Sequence, residues 1–245
     1  MKDFPGARRL AMFFLVLGAN VASAQATLID EGGGLVYDTV LDVTWLADAN
    51  VARTAGASTS GLLNYDDAQA FAGSFVYHDS VHGADVGSWQ LPSVSPMNGS
   101  TWNFAYSSVG LADKSQNQTS PTHQLAHLFN VDFGLLNYTA PDGSAPQPNF
   151  GSFTNAANLS LFTNVQSGTY WSGTPNPITA GQAFAFFADS GFENSGNLMR
   201  NTAYVLLMQP GNVAANLASV PVPAALWLFA PALAGLGRCA RRRAT

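Results

Sequence analysis

The four histidines fall into two pairs spaced four apart, His78/His82 and His123/His127. On a helix that spacing puts both rings on one face, as a zinc site requires. His123-Gln124-Leu125-Ala126-His127 lacks the glutamate of a metalloprotease helix, and His127 borders an apolar stripe, so it is read as a packed core histidine. The His78/His82 segment carries Asp79, Gly83 and Asp85 and reads as a loop. Asp38, Asp42, Asp48 and Asn50 crowd a short early stretch. Such dense oxygen donors suit calcium, the one cofactor the residues suggest, but they match no fixed-spacing calcium loop. Turn-forming aspartates are the simpler reading, with Asp38, Asp42 and Asp48 kept as metal candidates. Cys239 is the sole cysteine and lies beyond residue 219, so residues 25–219 hold no disulfide, thiolate site or cysteine nucleophile. No Gly-x-Ser-x-Gly elbow occurs. No catalytic residue is assigned. Trp102 and Tyr106 lie in a polar loop and are candidate ligand-binding aromatics; Trp45, Trp89 and Trp171 are assigned to the core.

Short apolar runs bounded by Gly, Asn, Ser and Thr must position these residues, which predicts strands and loops rather than long helices. Ala26 to Asp30 and Leu35 to Tyr37 flank a turn at Glu31-Gly32-Gly33-Gly34, and Val43 to Leu46 is a third strand. Asn64 to Phe75 is the clearest helix: Asn64 can cap it, and Ala68, Phe71, Ala72 and Phe75 form a stripe. A second helix is predicted from Pro121 to about Asn130, capped by Ser120. Thr169 to Ser172, Ala183 to Ala188 and Tyr204 to Gln209 read as strands, the last two central because both faces are apolar. Asp189 to Asn201 and Thr139 to Gly151 read as loops.

The two ends have a different character. Lys2, Arg8 and Arg9 precede the apolar run Leu10 to Leu17, and Ala22-Ser23-Ala24 is a small-x-small cleavage site. These are the parts of a signal peptide over residues 1–24, cut after Ala24, with the Sec translocon and signal peptidase as partners. Val220-Pro221-Val222-Pro223 is stiff and extended. Val220 to Gly237 spans 18 residues without charge, the lower edge of a transmembrane helix. Arg238, Arg241, Arg242 and Arg243 follow and would stay cytoplasmic. Val220, Pro221, Val222, Pro223 and Ala224, with Trp227, Leu228, Phe229 and the arginines, resemble a PEP-CTERM sorting signal of the Val-Pro-x-Pro-Ala type. The resemblance implies an exosortase as partner, a tail that is transiently or permanently membrane-inserted, and a place in the cell envelope or outside the cell.

Between the ends, three basic residues (Arg53, Lys114, Arg200) face fourteen acidic ones, a net charge of −11 over residues 25–219. Such a surface repels nucleic acid and anionic lipid and suits cations or neutral partners. The length is that of one domain.

Five blocks are similar to one family. Leu35-Val36-Tyr37-Asp38 with Leu41 to Leu46, Asn64 to Ala68, Ser88-Trp89-Gln90-Leu91-Pro92-Ser93, Tyr170-Trp171-Ser172-Gly173 and Tyr204 to Val213 resemble, in order, the blocks of the Lcl C-terminal domain family. Gln90 and Ser93 depart from that family's usual arginine and threonine. The resemblance implies an α+β fold, C-type-lectin-like or formylglycine-generating-enzyme-like, with short strands and two helices over residues 25–219. It implies a non-catalytic binding or adhesion module for glycan or exopolysaccharide, as in a biofilm matrix. The competing readings are a structural envelope protein without a ligand, and an enzyme; the chemistry of formylglycine generation uses a cysteine pair that this domain lacks.

Overall fold

Three successive left-handed glycines, Gly32, Gly33 and Gly34, turn the chain back on itself at its first hairpin. Gly33 also has no room for a side chain, because a Cβ there would lie 2.0 Å from Asp79 Oδ1. The computed structural model describes residues 28–217; the residues expected to form a signal peptide, including Ala22 and Ala24, and the expected sorting tail from Val220 to Arg243 lie outside it. Strand β1 (Leu28–Gly32) pairs with β2 (Leu35–Asp38), and β2 with β3 (Val43–Leu46), all antiparallel. After a short helix α1 (Val51–Thr54), helix α2 covers Tyr65–Ser74. Asn64 caps α2 by accepting from the Asp67 amide at 2.9 Å, as its sequence predicts. Ala68 and Ala72 are buried, and Phe71 and Phe75 pack beside them.

The hairpin β4 (Tyr77–Asp79) and β5 (Ala84–Val86) replaces the loop expected around His78 and His82. Tyr77, Asp79 and Val86 face inward there, in an alternation too short to register as a strand in the sequence. Strands β6 (Tyr106–Ser107) and β7 (Lys114–Gln116) lead to α3 (Gln124–His127), which passes into a π-helical turn at Leu128–Asp132. The helix expected from Pro121 therefore starts three residues late, with His123 and not Ser120 at its cap. The cause is local: Thr122 O accepts from Ser95 N at 2.9 Å, and Val94 and His123 form a bridge, which holds this stretch extended. Helix α4 (Ala156–Leu159), β8 (Thr169–Pro175), β9 (Gln182–Phe187), β10 (Phe192–Leu198), β11 (Met208–Pro210) and α5 (Val213–Asn216) complete the chain.

The strands form two larger sheets, ordered β1-β2-β3-β11 and β6-β7-β10-β9-β8. The fold is α+β, mostly short strands with few helices. Strand β9 is central, as its two apolar faces predict. Strand β10 overturns the loop expected at Asp189 to Asn201: between Phe192 and Leu198 it holds only polar residues and a glycine, yet Glu193 and Ser195 are buried. The stretch expected as a central strand at Tyr204 to Gln209 is instead a seam, and only Met208–Pro210 joins a ladder, at a sheet edge. Tyr204 and Trp171 belong to β8's side, through Trp171 N–H to Tyr204 O at 3.0 Å; Leu46 N–H reaches Leu207 O at 2.9 Å on the β3 side. Along this seam Leu206 and Met208 enter one core with Trp45, Phe129 and Phe186. Val205 and Leu207 enter the other, with Leu46, Trp89 and Trp171. Both faces are apolar because each meets a separate core.

Truncating either side of the seam is costly. Leu206→Ala and Leu207→Ala should each lower unfolding free energy by about 2–5 kcal/mol, whereas Ile178→Ala, at an exposed site, should change it by less than about 0.5 kcal/mol. Urea denaturation followed by tryptophan fluorescence measures the three, and equal effects would refute the two-core seam.

Candidate functional site

Strand register divides the five-stranded sheet into two chemically different faces. Tyr106 pairs with Lys114, and Gln116 pairs with Phe192, which pairs with Phe187. Cross-strand partners and residues two apart share a face. Tyr106, Lys114, Phe192, Asn194 and Phe187 therefore lie on one side. Tyr106 is 59% exposed and meets Phe192 edge-on, with ring centroids 5.8 Å apart; Phe192 and Phe187 are 6.0 Å apart and half-buried. These rings make a three-ring strip starting at the sheet edge. Lys114, one of three basic residues in the described chain, stands beside it.

The opposite face carries Ser115, Glu193, Phe184 and Phe186, all buried. Against it sits His123, fully buried, its ring edge-on to Phe184 with centroids 6.4 Å apart. His123 Nε2 is 3.1 Å from Asp113 Oδ1, and its Nδ1 is 3.9 Å from a Glu193 oxygen. Asp113 also accepts from the amides of Met97 at 2.9 Å and Asn103 at 2.6 Å. With Asp113 an acceptor throughout, His123 donates from Nε2 and turns an unprotonated Nδ1 toward Glu193. Burial lowers the His123 pKa, against the raising effect of Asp113. Burial alone pushes Glu193 up to about 8. The array thus holds a neutral histidine between one acid that organises a loop and one that stays protonated at neutral pH. All three side chains are buried, and Asp113 ties down Met97 and Asn103, the two ends of the loop 97–103.

That loop carries Trp102. Its ring stacks on Phe184 (5.1 Å) and Phe104 (5.7 Å) and is half-buried, so it is not the free-standing exposed aromatic that its polar surroundings suggest. Tyr106 is exposed, as expected. The other candidates serve local contacts. Asp38 Oδ1 accepts from the amides of Val40 and Leu41, both at 2.9 Å, and its Oδ2 from Trp45 Nε1 at 3.4 Å. Asp42, with a left-handed backbone, accepts from the Tyr37 hydroxyl at 2.9 Å. Asp48 accepts from the Asn50 amide and from Asn164 Nδ2. The histidine pairs do not converge either: His78 bonds Asp85, His82 bonds Asp79, and His127 Nδ1 bonds Thr119 O. Among the described residues no three or more His, Cys, Asp or Glu come together as a metal site.

Glu193, Asp113 and the buried Asp132 escape sequence reasoning. Asp132 ends the π-helical turn, and burial, then the charge of Asp38, raises its carboxyl to about 8. The one available signal was Glu193 itself, a lone acid directly after Phe192 in a stretch otherwise free of charge up to Arg200. No family model, curated protein or solved structure matches the chain.

Glu193 and Asp132 have raised pKa values in the folded state, from 4.5 and 3.8 to about 8. Their contribution to stability is therefore fully present below the unfolded values and lost as pH rises toward about 8. Stability should fall across that window, and Glu193→Gln with Asp132→Asn should flatten the profile. Urea midpoints measured from acid to mildly alkaline pH test this; parallel profiles for wild type and double variant would contradict it.

Proposed function

We propose that this chain is an exported cell-envelope or extracellular-matrix protein whose domain binds neutral glycan without catalysis. The observation that carries this is the strip Tyr106–Phe192–Phe187, which is open to solvent at the β6 edge of the sheet, where Tyr106 is exposed. Aromatic faces suit the apolar faces of sugar rings, while their edges and the neighbouring Lys114 and Asn194 leave room for hydroxyl contacts. The acidic excess turns away anionic polymers and leaves uncharged polysaccharide as the matching polymer class. The α+β architecture is compatible with the lectin-like fold implied by the Lcl-type blocks.

Affinity electrophoresis in gels cast with neutral polysaccharides tests the binding. Wild type should be retarded, and Tyr106→Ala should migrate as in a blank gel. Lack of retardation across the panel would favour a structural envelope protein without ligand.

The export reading rests on the ends. Residues 1–24 are proposed as a signal peptide, and Val220 to Ala224 with the arginines from Arg238 as an exosortase-processed sorting tail. Among the described residues no helix is long and apolar enough to cross a membrane. Mass spectrometry of the protein from envelope and medium fractions should find a new C-terminus upstream of the arginines. A finished protein ending at Thr245 would make the segment a retained anchor.

A further inference from the structure

A second feature lies away from the aromatic strip. Beside the π-helical turn is a cavity of about 360 Å³ whose polar lining is amide-rich: Asn117, Asn130, Asn137 and Gln147, opposite Leu135 and Leu136. None of its lining side chains is charged. Four buried side-chain amide oxygens lack a partner among the described residues, and three of them, on Asn130, Asn137 and Gln147, belong to this one cavity.

The orientations of Asn117, Asn130 and Asn137 are fixed by what their nitrogens do. Asn117 Nδ2 donates to Ser108 O at 2.8 Å and Thr139 O at 2.7 Å, so its oxygen must be the atom that accepts from Asn137 Nδ2 at 2.9 Å. Asn137 Oδ1 then packs against Gly191, where a Cβ would come within 1.2 Å of it. Asn130 Nδ2 donates to Gln118 O at 2.7 Å, which fixes Asn130 Oδ1 as an acceptor. Asn130 sits in the π-helical turn and Asn117 in a left-handed backbone; both irregularities are typical of functional sites. The unpartnered groups are thus neutral, with Asn130 and Gln147 foremost, on residues that line the same cavity as Leu135 and Leu136.

We propose that this cavity takes a single uncharged hexose unit, as a free sugar or a chain end of the glycan. Its hydroxyls would donate to the Asn130 and Gln147 oxygens, and its C–H face would rest on Leu135 and Leu136. A volume of about 360 Å³ is at the small end of ligand pockets, roughly 300–1,000 Å³, and fits one ring better than several. Calcium is disfavoured because it takes carboxylates as well as carbonyls, and the lining holds no carboxylate. This inference rests on the carbohydrate reading of the domain but not on the aromatic strip.

Calorimetric titration of the whole protein with glucose, galactose, mannose and N-acetylglucosamine tests it. One of them should saturate at a single site. Asn130→Leu and Gln147→Leu should each weaken that binding at least about tenfold, the loss expected when a sugar hydroxyl faces an apolar group. Ile178→Ala, at an exposed site outside the cavity lining, should leave it unchanged. The Gln147 side chain has no bond to lose, so that variant decides the matter if Asn130→Leu unfolds. Saturation by none of the four sugars, or wild-type affinity in Gln147→Leu, overturns the site. Retardation by polysaccharide without sugar saturation would remove the cavity and leave the strip; saturation without retardation would do the reverse.

Discussion

The architecture depends on residues 203–208, which must satisfy their backbone polar groups while buried from both sides. Ala203 exchanges hydrogen bonds with Leu63, Tyr204 with Thr169 and Trp171, Leu207 O with Leu46, and Met208 with Gln90. Few of these contacts belong to a regular ladder, yet they join four separate parts of the chain. A buried backbone group left unpaired costs about as much as a lost hydrogen bond, so the segment has little freedom to slip. Shifting it by one residue would exchange the two core faces, moving Leu206 from the Phe129 core to the Trp171 core. The two sheets are fixed against each other by this constraint, and so is the β8 end of the sheet that presents Tyr106, Phe192 and Phe187.

The other sheet end is organised electrostatically. Glu193 on β10 faces inward next to His123, and Asp113, just before β7, holds the amides at both ends of the Trp102 loop. Trp102 then covers Phe184, whose other ring neighbours are Phe104 and His123. The buried polar array and the aromatic loop are linked: Asp113 fixes the loop, and Trp102 and His123 both pack on Phe184. Burial is what raises the Glu193 carboxyl. It also amends the charge read from composition. With Glu193 and Asp132 held mainly protonated at neutral pH, the net charge of residues 25–219 moves from −11 toward −9. Part of the apparent acidity is internal structure rather than surface.

Local signals were the legible ones. Asn64 caps α2 through its own side chain, the glycine run Gly32 to Gly34 forces the first turn, and Val43, Trp45 and Leu46 make an apolar run broken only by Thr44. Each depends on neighbours within a few residues. What sequence pattern missed depends on distant partners. Strand β10 looks like a loop because its buried positions are Glu193 and Ser195, tolerated only against the polar patch around His123. The late start of α3 comes from Val94 and Ser95, nearly thirty residues upstream, pairing with Thr122 and His123. Trp102 and Tyr106 looked equivalent as loop aromatics. They differ because Phe184 lies under one, and a sheet edge leaves the other open.

The polar chemistry left available is of one kind. The described carboxylates that are buried are absorbed by backbone amides, histidines or their own protonation: Asp38 by a turn, Asp79 by His82, Asp113 by the loop, Glu193 and Asp132 by a bound proton. The groups facing the strip and the amide cavity are hydroxyl, amide and a single ammonium at Lys114. A neutral polyol loses little on leaving water for such surroundings, since each hydroxyl can find an acceptor and its C–H faces find rings or leucines. An anionic ligand would have to be desolvated against a net acidic protein with one nearby cation in support, and Coulomb repulsion would add to that cost. The distribution of charge, more than any single side chain, disfavours anionic partners.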